Sequence, residues 1–129
     1  LSQFPVTSGN VLHGIKKADV GYSGFGEVYF SIINPGAVKA WKLHRQMTSN
    51  LVVPFGEVRF VFCNPDVSGR YRVENIGQRN YVRLTVPPNI WFGFQGLGTK
   101  PSLITNIANL KHSVNEVETA DVTKFCYMW

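Results

Sequence analysis

Charge and cysteine are both scarce in this 129-residue chain. Asp, Glu, Lys and Arg together make up 16% of it, and Cys63 and Cys126 are its two cysteines. Two thiols are too few for the disulfide framework of a small secreted domain. Neither has a CxxC or Cys/His neighbour of the kind that redox or zinc chemistry uses. A buried thiol at Cys63 in a reducing cytoplasm is therefore expected. No run approaches the ~18–20 apolar residues of a membrane helix, so no membrane partner is expected. Leu1–Val11 carries no basic-then-apolar leader pattern. Internal repeats, low-complexity stretches and linkers are missing too, which implies one domain over residues 1–129 around one core.

What is present points to a folded β protein. Hydrophobic residues make up 44% of the chain, too many for a disordered segment. Thirteen Lys and Arg outnumber eight Asp and Glu, for a net charge of +5. The cations stand singly apart from Lys16-Lys17, with no basic arm or helix, so a nucleic-acid partner is not expected. The surplus suits a small anionic ligand such as a diphosphate, or serves solubility alone.

Runs rich in Val, Ile, Tyr and Phe predict strands at Glu27–Asn34, Leu51–Phe55, Glu57–Cys63, Tyr71–Ile76, Asn80–Val86, Ile90–Gln95 and Leu103–Ala108. Turn residues separate them at Asn34-Pro35-Gly36, Pro54-Phe55-Gly56, Asn64-Pro65-Asp66, Ser68-Gly69 and Pro87-Pro88-Asn89. Short strands at this spacing predict a sandwich or barrel. Ser113–Thr123 is the one stretch that reads as a short helix or helical turn.

Alternation gives the first functional clue. In extended geometry Val38–Gln46 places Ala40, Lys42, His44 and Gln46 on one face, and Lys39, Trp41 and Leu43 on the other. The polar row either lines a ligand cavity inside a barrel or faces solvent while Trp41 enters the core.

The spacing from Gly36 through His44 to Gly56 resembles the first motif of the cupins, jelly-roll barrels in which glycines bracket an HxH-type metal cluster. Here Lys42 stands at the first His position, and Thr48-Ser49 supplies no Glu. Pro87-Pro88-Asn89-Ile90-Trp91-Phe92 resembles the second motif, with Phe92 at its metal-binding His position. One His does not hold a metal tightly, so the resemblance implies a metal-free barrel with no cofactor. Within the cupins, GEVYFSIINPGAVKAWKLHRQMTSNLVVPFGEVRFVF and YVRLTVPPNIWFGF are most similar to the dTDP-4-dehydrorhamnose 3,5-epimerase family and its shorter relatives. The flanking NVLHGIKKAD and LITNIANLKHSVNEVE resemble the shorter members. The implied fold is an all-β, cupin-type jelly-roll barrel with at most a short C-terminal helical segment.

The resemblance also implies a chemistry. The family epimerises nucleotide-diphosphate 4-keto sugars by removing the proton beside the carbonyl and returning one through an enolate, in the service of rhamnose and polysaccharide biosynthesis. His44 falls at the position of the family's base, and imidazole has the pKa for that task. Lys42 is implied to steady the enolate or grip phosphate. Gln46, Asn50, Arg59, Phe92 and His112 are the implied substrate-binding positions. Trp41 replaces a phosphate-binding Arg, and Asn50 aligns with a Lys that stabilises the enolate. The family's late catalytic Tyr is missing near Leu110-Lys111-His112, which leaves the acid unassigned. His112 is nearest by sequence, and Tyr29 or Tyr81 would serve if inward-facing. Asp121 is the one candidate for the carboxylate that supports the base. Arg70 could meet a diphosphate, while His13 reads as a core or edge residue. A homodimer is the family expectation. Two alternatives stand beside the epimerase: a sugar-nucleotide-binding cupin without turnover, and a sugar 3,4-ketoisomerase.

Overall fold

A computed structural model describes residues 1–64, 66–67 and 69–129. Two of the expected turns contain Pro65 and Ser68, which lie outside the described residues. The strands are β1 (Gln3–Phe4), β2 (Val11–Leu12), β3 (Glu27–Ile33), β4 (Val38–His44), β5 (Ser49–Phe55), β6 (Glu57–Cys63), β7 (Tyr71–Gly77), β8 (Leu84–Val86), β9 (Trp91–Leu97), β10 (Ser102–Ala108) and β11 (Val117–Thr119). All named pairings are antiparallel. One sheet runs β3-β10-β5-β8, the other runs β11-β4-β9-β6-β7, and β1 and β2 form a small ribbon. The fold is an all-β jelly roll of the cupin type.

Two expectations are refined. The helical turn expected in 113–123 is a single 3-10 turn at Val122–Lys124, and ahead of it Val117–Thr119 pairs as a strand with β4. The 80–86 run forms a strand only at Leu84–Val86; before it, Gly77 and Asn80 exchange backbone hydrogen bonds in a turn.

Strand alternation builds the interior. On β6, Val58 and Phe60 are fully buried and point inward with Phe62, joined by Ile76 and Phe92 from the same sheet. Ile33, Leu51, Val53, Val86 and Ile104 meet them from the opposite sheet. The intervening residues of β6, Val61 and Cys63, face outward but are not exposed. They form a second cluster with Trp41, Leu43 and Trp91, over which the C-terminal residues Phe125, Tyr127 and Trp129 fold. The five-stranded sheet is thus apolar on both faces because the tail covers the outer one. Cys63 is buried, as expected, and Cys126 is exposed.

Trp41 anchors that tail. Its ring meets Phe125 edge-on at 5.2 Å and Trp129 at 5.2 Å, and its Nε1 donates to the Val122 carbonyl at 3.1 Å. Trp41→Ala should therefore cost about 3–5 kcal/mol of stability, as expected for a buried Trp. Urea unfolding monitored by circular dichroism measures this, and a loss well under 1 kcal/mol would show that the tail is not packed as described.

Candidate active site

Strand β4 carries the site, and a bulge in it decides which residues face inward. Lys39 pairs with Phe94 and Lys42 with Phe92, so Ala40 and Trp41 together oppose Gly93 alone. Directly paired residues share a face, and Phe92 and Phe94 both belong to the interior cluster. Lys39 and Lys42 therefore point into the same interior. This corrects the simple alternation, which put Lys39 on the far face and Ala40 beside Lys42. Gly93 has no room for a side chain here: a Cβ would stand 2.5 Å from Ala40 Cβ and 3.0 Å from Trp129.

Between the two sheets lies a cavity of about 380 Å³. Lys39 and Lys42 line one wall and Tyr29, Ser31 and Asn106 the other, over a floor that includes Leu51, Phe60, Phe92 and Ile104. His44 stands just beyond this lining, 3% exposed, with its ring stacked on Phe92 at 6.3 Å between centroids.

Glu116 completes the centre. Its Oε1 meets His44 Nδ1 at 2.5 Å, and its Oε2 accepts the backbone N–H groups of Gln46 and Met47, each at 3.2 Å. The pairing of Val117 with His44 brings the preceding carboxylate against the ring, reinforced by the Arg45 N–H bond to the Glu116 carbonyl at 2.8 Å. Burial pushes the Glu116 carboxyl up, but the hydrogen bonds from His44, Gln46 and Met47 outweigh it and hold the group below its ordinary range. Burial pushes the imidazole down, and Glu116 opposes that push only in part. The pair is thus a carboxylate beside a neutral ring that donates through Nδ1, leaving the Nε2 lone pair free. Nε2 is buried and has no partner among the described residues.

On the opposite sheet, the Asn106 amide donates to the Tyr29 hydroxyl at 2.7 Å and to Ser49 Oγ at 3.2 Å. The phenol accepts that bond and keeps its own proton to donate. Burial raises its pKa, with Asn106 opposing, so it stays protonated at neutral pH. Asn106 Oδ1 is buried without a partner. Of the four such side-chain atoms among the described residues, this one and His44 Nε2 lie at the site.

The other expected site residues are dispersed. Asp121 is no partner for His44; it caps the 3-10 turn by accepting from Thr123. The Gln46 side chain is exposed, and only its backbone N–H reaches the dyad. Asn50 faces away from the cavity, donating to the Gly21 carbonyl and accepting from Thr85, because Ser49 and Leu51 take the inward positions of β5. Arg59 is on the outer face of β6, against Asn75 and Gln95. His112 is exposed. The Tyr81 hydroxyl donates to the His13 carbonyl, away from the cavity, and His13 packs against Phe4 at 5.0 Å. Arg70 lines a separate cavity of about 480 Å³ with Phe62, Leu84 and Ile90. Among the described residues, no cluster of three or more His, Cys, Asp or Glu could hold a metal ion. Among those residues, no helix is long and apolar enough to cross a membrane.

Fold and site together define a cupin barrel whose cavity is served by a histidine–carboxylate dyad and two lysines. No family model matches the chain. It is 36% identical to a dTDP sugar isomerase from Desulfovibrio desulfuricans, over 95% of this chain and 82% of that one, with a TM-score of 0.90. A dTDP-4-dehydrorhamnose 3,5-epimerase from Sulfolobus tokodaii superposes with a TM-score of 0.82 at 18% identity, over 97% of this chain and 76% of that one. A probable low-salt glycan biosynthesis epimerase of Haloferax volcanii is 30% identical over 83 residues. That match covers 60% of this chain and 53% of the relative, about half its length. The chain belongs to the dTDP-4-dehydrorhamnose 3,5-epimerase-like family of cupin sugar epimerases and isomerases.

Glu116→Gln tests the dyad. The amide has a donor where the carboxylate only accepts, so His44 Nδ1–H loses an acceptor unless the new side chain turns its oxygen toward it. The loss should be about 1–3 kcal/mol at pH 7. Glu116 has a lowered folded pKa, so its stabilisation is present above the ordinary carboxyl value and fades as pH falls through the lowered one. Urea unfolding of both proteins should therefore show the gap narrowing in acid. A gap of constant size down to pH 3 would contradict an ionised Glu116.

Proposed function

We propose that the protein is an isomerase of nucleotide-diphosphate sugars, epimerising a carbon next to a 4-keto group through an enolate. The observation that carries this reading is the buried His44–Glu116 dyad with its unpartnered Nε2, beside a cavity lined by Lys42 and Tyr29. The 36% identity to a dTDP sugar isomerase supports the same substrate class.

In the proposed reaction, Nε2 takes the proton from the carbon beside the carbonyl. The C–H electron pair moves into the carbonyl, whose oxygen becomes the enolate oxygen. Lys42 lies two residues before His44 and places an ammonium where that negative charge develops. Glu116 stabilises the imidazolium that forms and keeps Nδ1 as the donor, the role that a buried carboxylate plays behind a catalytic histidine. Tyr29 returns a proton to the carbon from the opposite face, and Asn106 Nδ2 steadies the phenolate until solvent restores it. Phe92 both stacks on His44 and lines the cavity, so displacement of its ring by the sugar opens Nε2. The apolar floor of Leu51, Phe60 and Ile104 suits a deoxy sugar.

Two parts that the resemblance left vacant have candidates here: Glu116 for the supporting carboxylate and Tyr29 for the acid. That favours turnover over binding alone. The homodimer implied by the family would cover Val28, Phe30 and Ile32, which alternate outward and exposed along edge strand β3.

Solvent-deuterium incorporation into a panel of dTDP-, UDP- and GDP-linked 4-keto sugars, followed by NMR, tests the proposal. Wild type should exchange the proton, and His44→Asn should slow exchange ~10²- to 10⁴-fold while ligand affinity stays within several-fold. Tyr29→Phe should still exchange but form little inverted product. No exchange by wild type on any of these sugars would overturn the reading.

The pH profile follows from the shifted groups. Activity should rise as pH climbs through the His44 value, which burial places below the ordinary 6.5. It should fall at alkaline pH as Lys42 loses its proton. Burial and then Lys39 lower that pKa from the ordinary 10.5, with Glu116 opposing. Steady-state kcat/KM across pH 4.5–10 reads both limbs, and an acid limb that persists in His44→Asn would assign it elsewhere.

A further inference from the structure

The bulge in β4 brings a second lysine to the cavity, and the dyad mechanism gives it no task. Lys39 lines the same wall as Lys42, and the charge of each is near enough to the other to matter. Among the described residues neither forms an ion pair with a carboxylate; the bridges present involve His44, Arg45, Arg72, Arg79 and Arg83. The cavity is lined by two ammonium groups and no acid. Two like charges on one wall repel each other, Glu116 beside His44 offsets this only for Lys42, and a bound anion removes the remaining cost.

Position separates the two lysines. Lys42 is half-buried and Lys39 exposed, so Lys39 stands at the cavity mouth. Its Nζ donates to the Ile32 carbonyl at 2.9 Å, reaching from β4 across the seam to β3. With the bulge counted as one step, Lys39 is four steps of about 3.3 Å, roughly 13 Å, from His44 along the strand. Its ammonium cannot reach the carbon that His44 deprotonates, but it can meet the group attached at the outer end of the sugar. The three donors of an ammonium suit phosphate oxygens as a point charge.

We infer that Lys39 is the diphosphate-binding residue of this site, holding the nucleotide end at the mouth while Lys42 serves the sugar end. The inference rests on the nucleotide-sugar reading above and assigns it a residue. The bulge turns Lys39 in, while Trp41 keeps the outward place that alternation with Lys42 gives it, so the cation that binds phosphate comes from two positions earlier on the strand.

Titration calorimetry of wild type, Lys39→Met and Lys39→Arg is the test, with thymidine, uridine and guanosine diphosphates and their free nucleosides as probes at two salt concentrations. Circular dichroism checks folding, which substitution of an exposed side chain should preserve. Lys39→Met should weaken the preferred diphosphate about tenfold, leave the nucleoside unchanged and flatten the salt dependence. Lys39→Arg should recover most of the loss. If Lys39→Met binds diphosphate like wild type, or weakens nucleoside and diphosphate equally, this inference is overturned while the deuterium-exchange result still judges the enzymatic reading. If wild type binds no nucleoside diphosphate, both fall together.

Discussion

Much of the chemistry open to this barrel depends on one buried hydrogen bond, that between His44 Nδ1 and Glu116. Alone in this environment, the ring would titrate low and either nitrogen could carry the proton. The carboxylate removes that freedom: it accepts from Nδ1, and so leaves Nε2 as the nitrogen with a lone pair. Glu116 can remain ionised in a buried place because the two amides at Gln46 and Met47 share its other oxygen. A buried charge without such donors would take up a proton. The backbone turn after His44 therefore helps to keep Glu116 ionised, although the Gln46 side chain itself points to solvent.

The second determinant is geometric. An unbroken β4 would put Lys39 outside; the two-against-one bulge opposite Gly93 puts both lysines inside. Trp41, on the outer face opposite Lys42, is held by Phe125, Tyr127 and Trp129. The aromatic tail and the cavity are thus two sides of one strand. Packing on the outer face holds the register that sets the charge of the inner one. This coupling accounts for an aromatic C-terminal segment on the side of the sheet that faces away from the cavity.

The strand framework was legible in the sequence because alternation and turn residues act locally. Glu57–Cys63 could be read residue by residue, and its bounds coincide with β6. The stretch 113–123 could not, since its short strand exists only by pairing with β4, a partner more than seventy residues away. Misreading it hid Glu116 and left Asp121 as the stand-in carboxylate. Two acidic residues flanking Val117 in a β-compatible run were the available signal. Lys39 was missed for a related reason: periodicity assumes an unbroken strand, and the bulge moves every residue before it to the opposite face. Asn50 and Arg59 were assigned from resemblance alone, and the alternation of β5 and β6 turns both side chains away from the cavity. His44 and Lys42 share a face as alternation expects because both follow the bulge.

The account turns on His44 being a neutral ring with Nδ1 protonated and Nε2 free near pH 7. Nitrogen-15 NMR of histidine-labelled protein, titrated from pH 4 to pH 9, observes both nitrogens directly. The account predicts a protonated Nδ1 and an unprotonated Nε2 at pH 7, with the ring charging only below the ordinary histidine value. An Nε2–H tautomer, or an imidazolium persisting at pH 7, would contradict it.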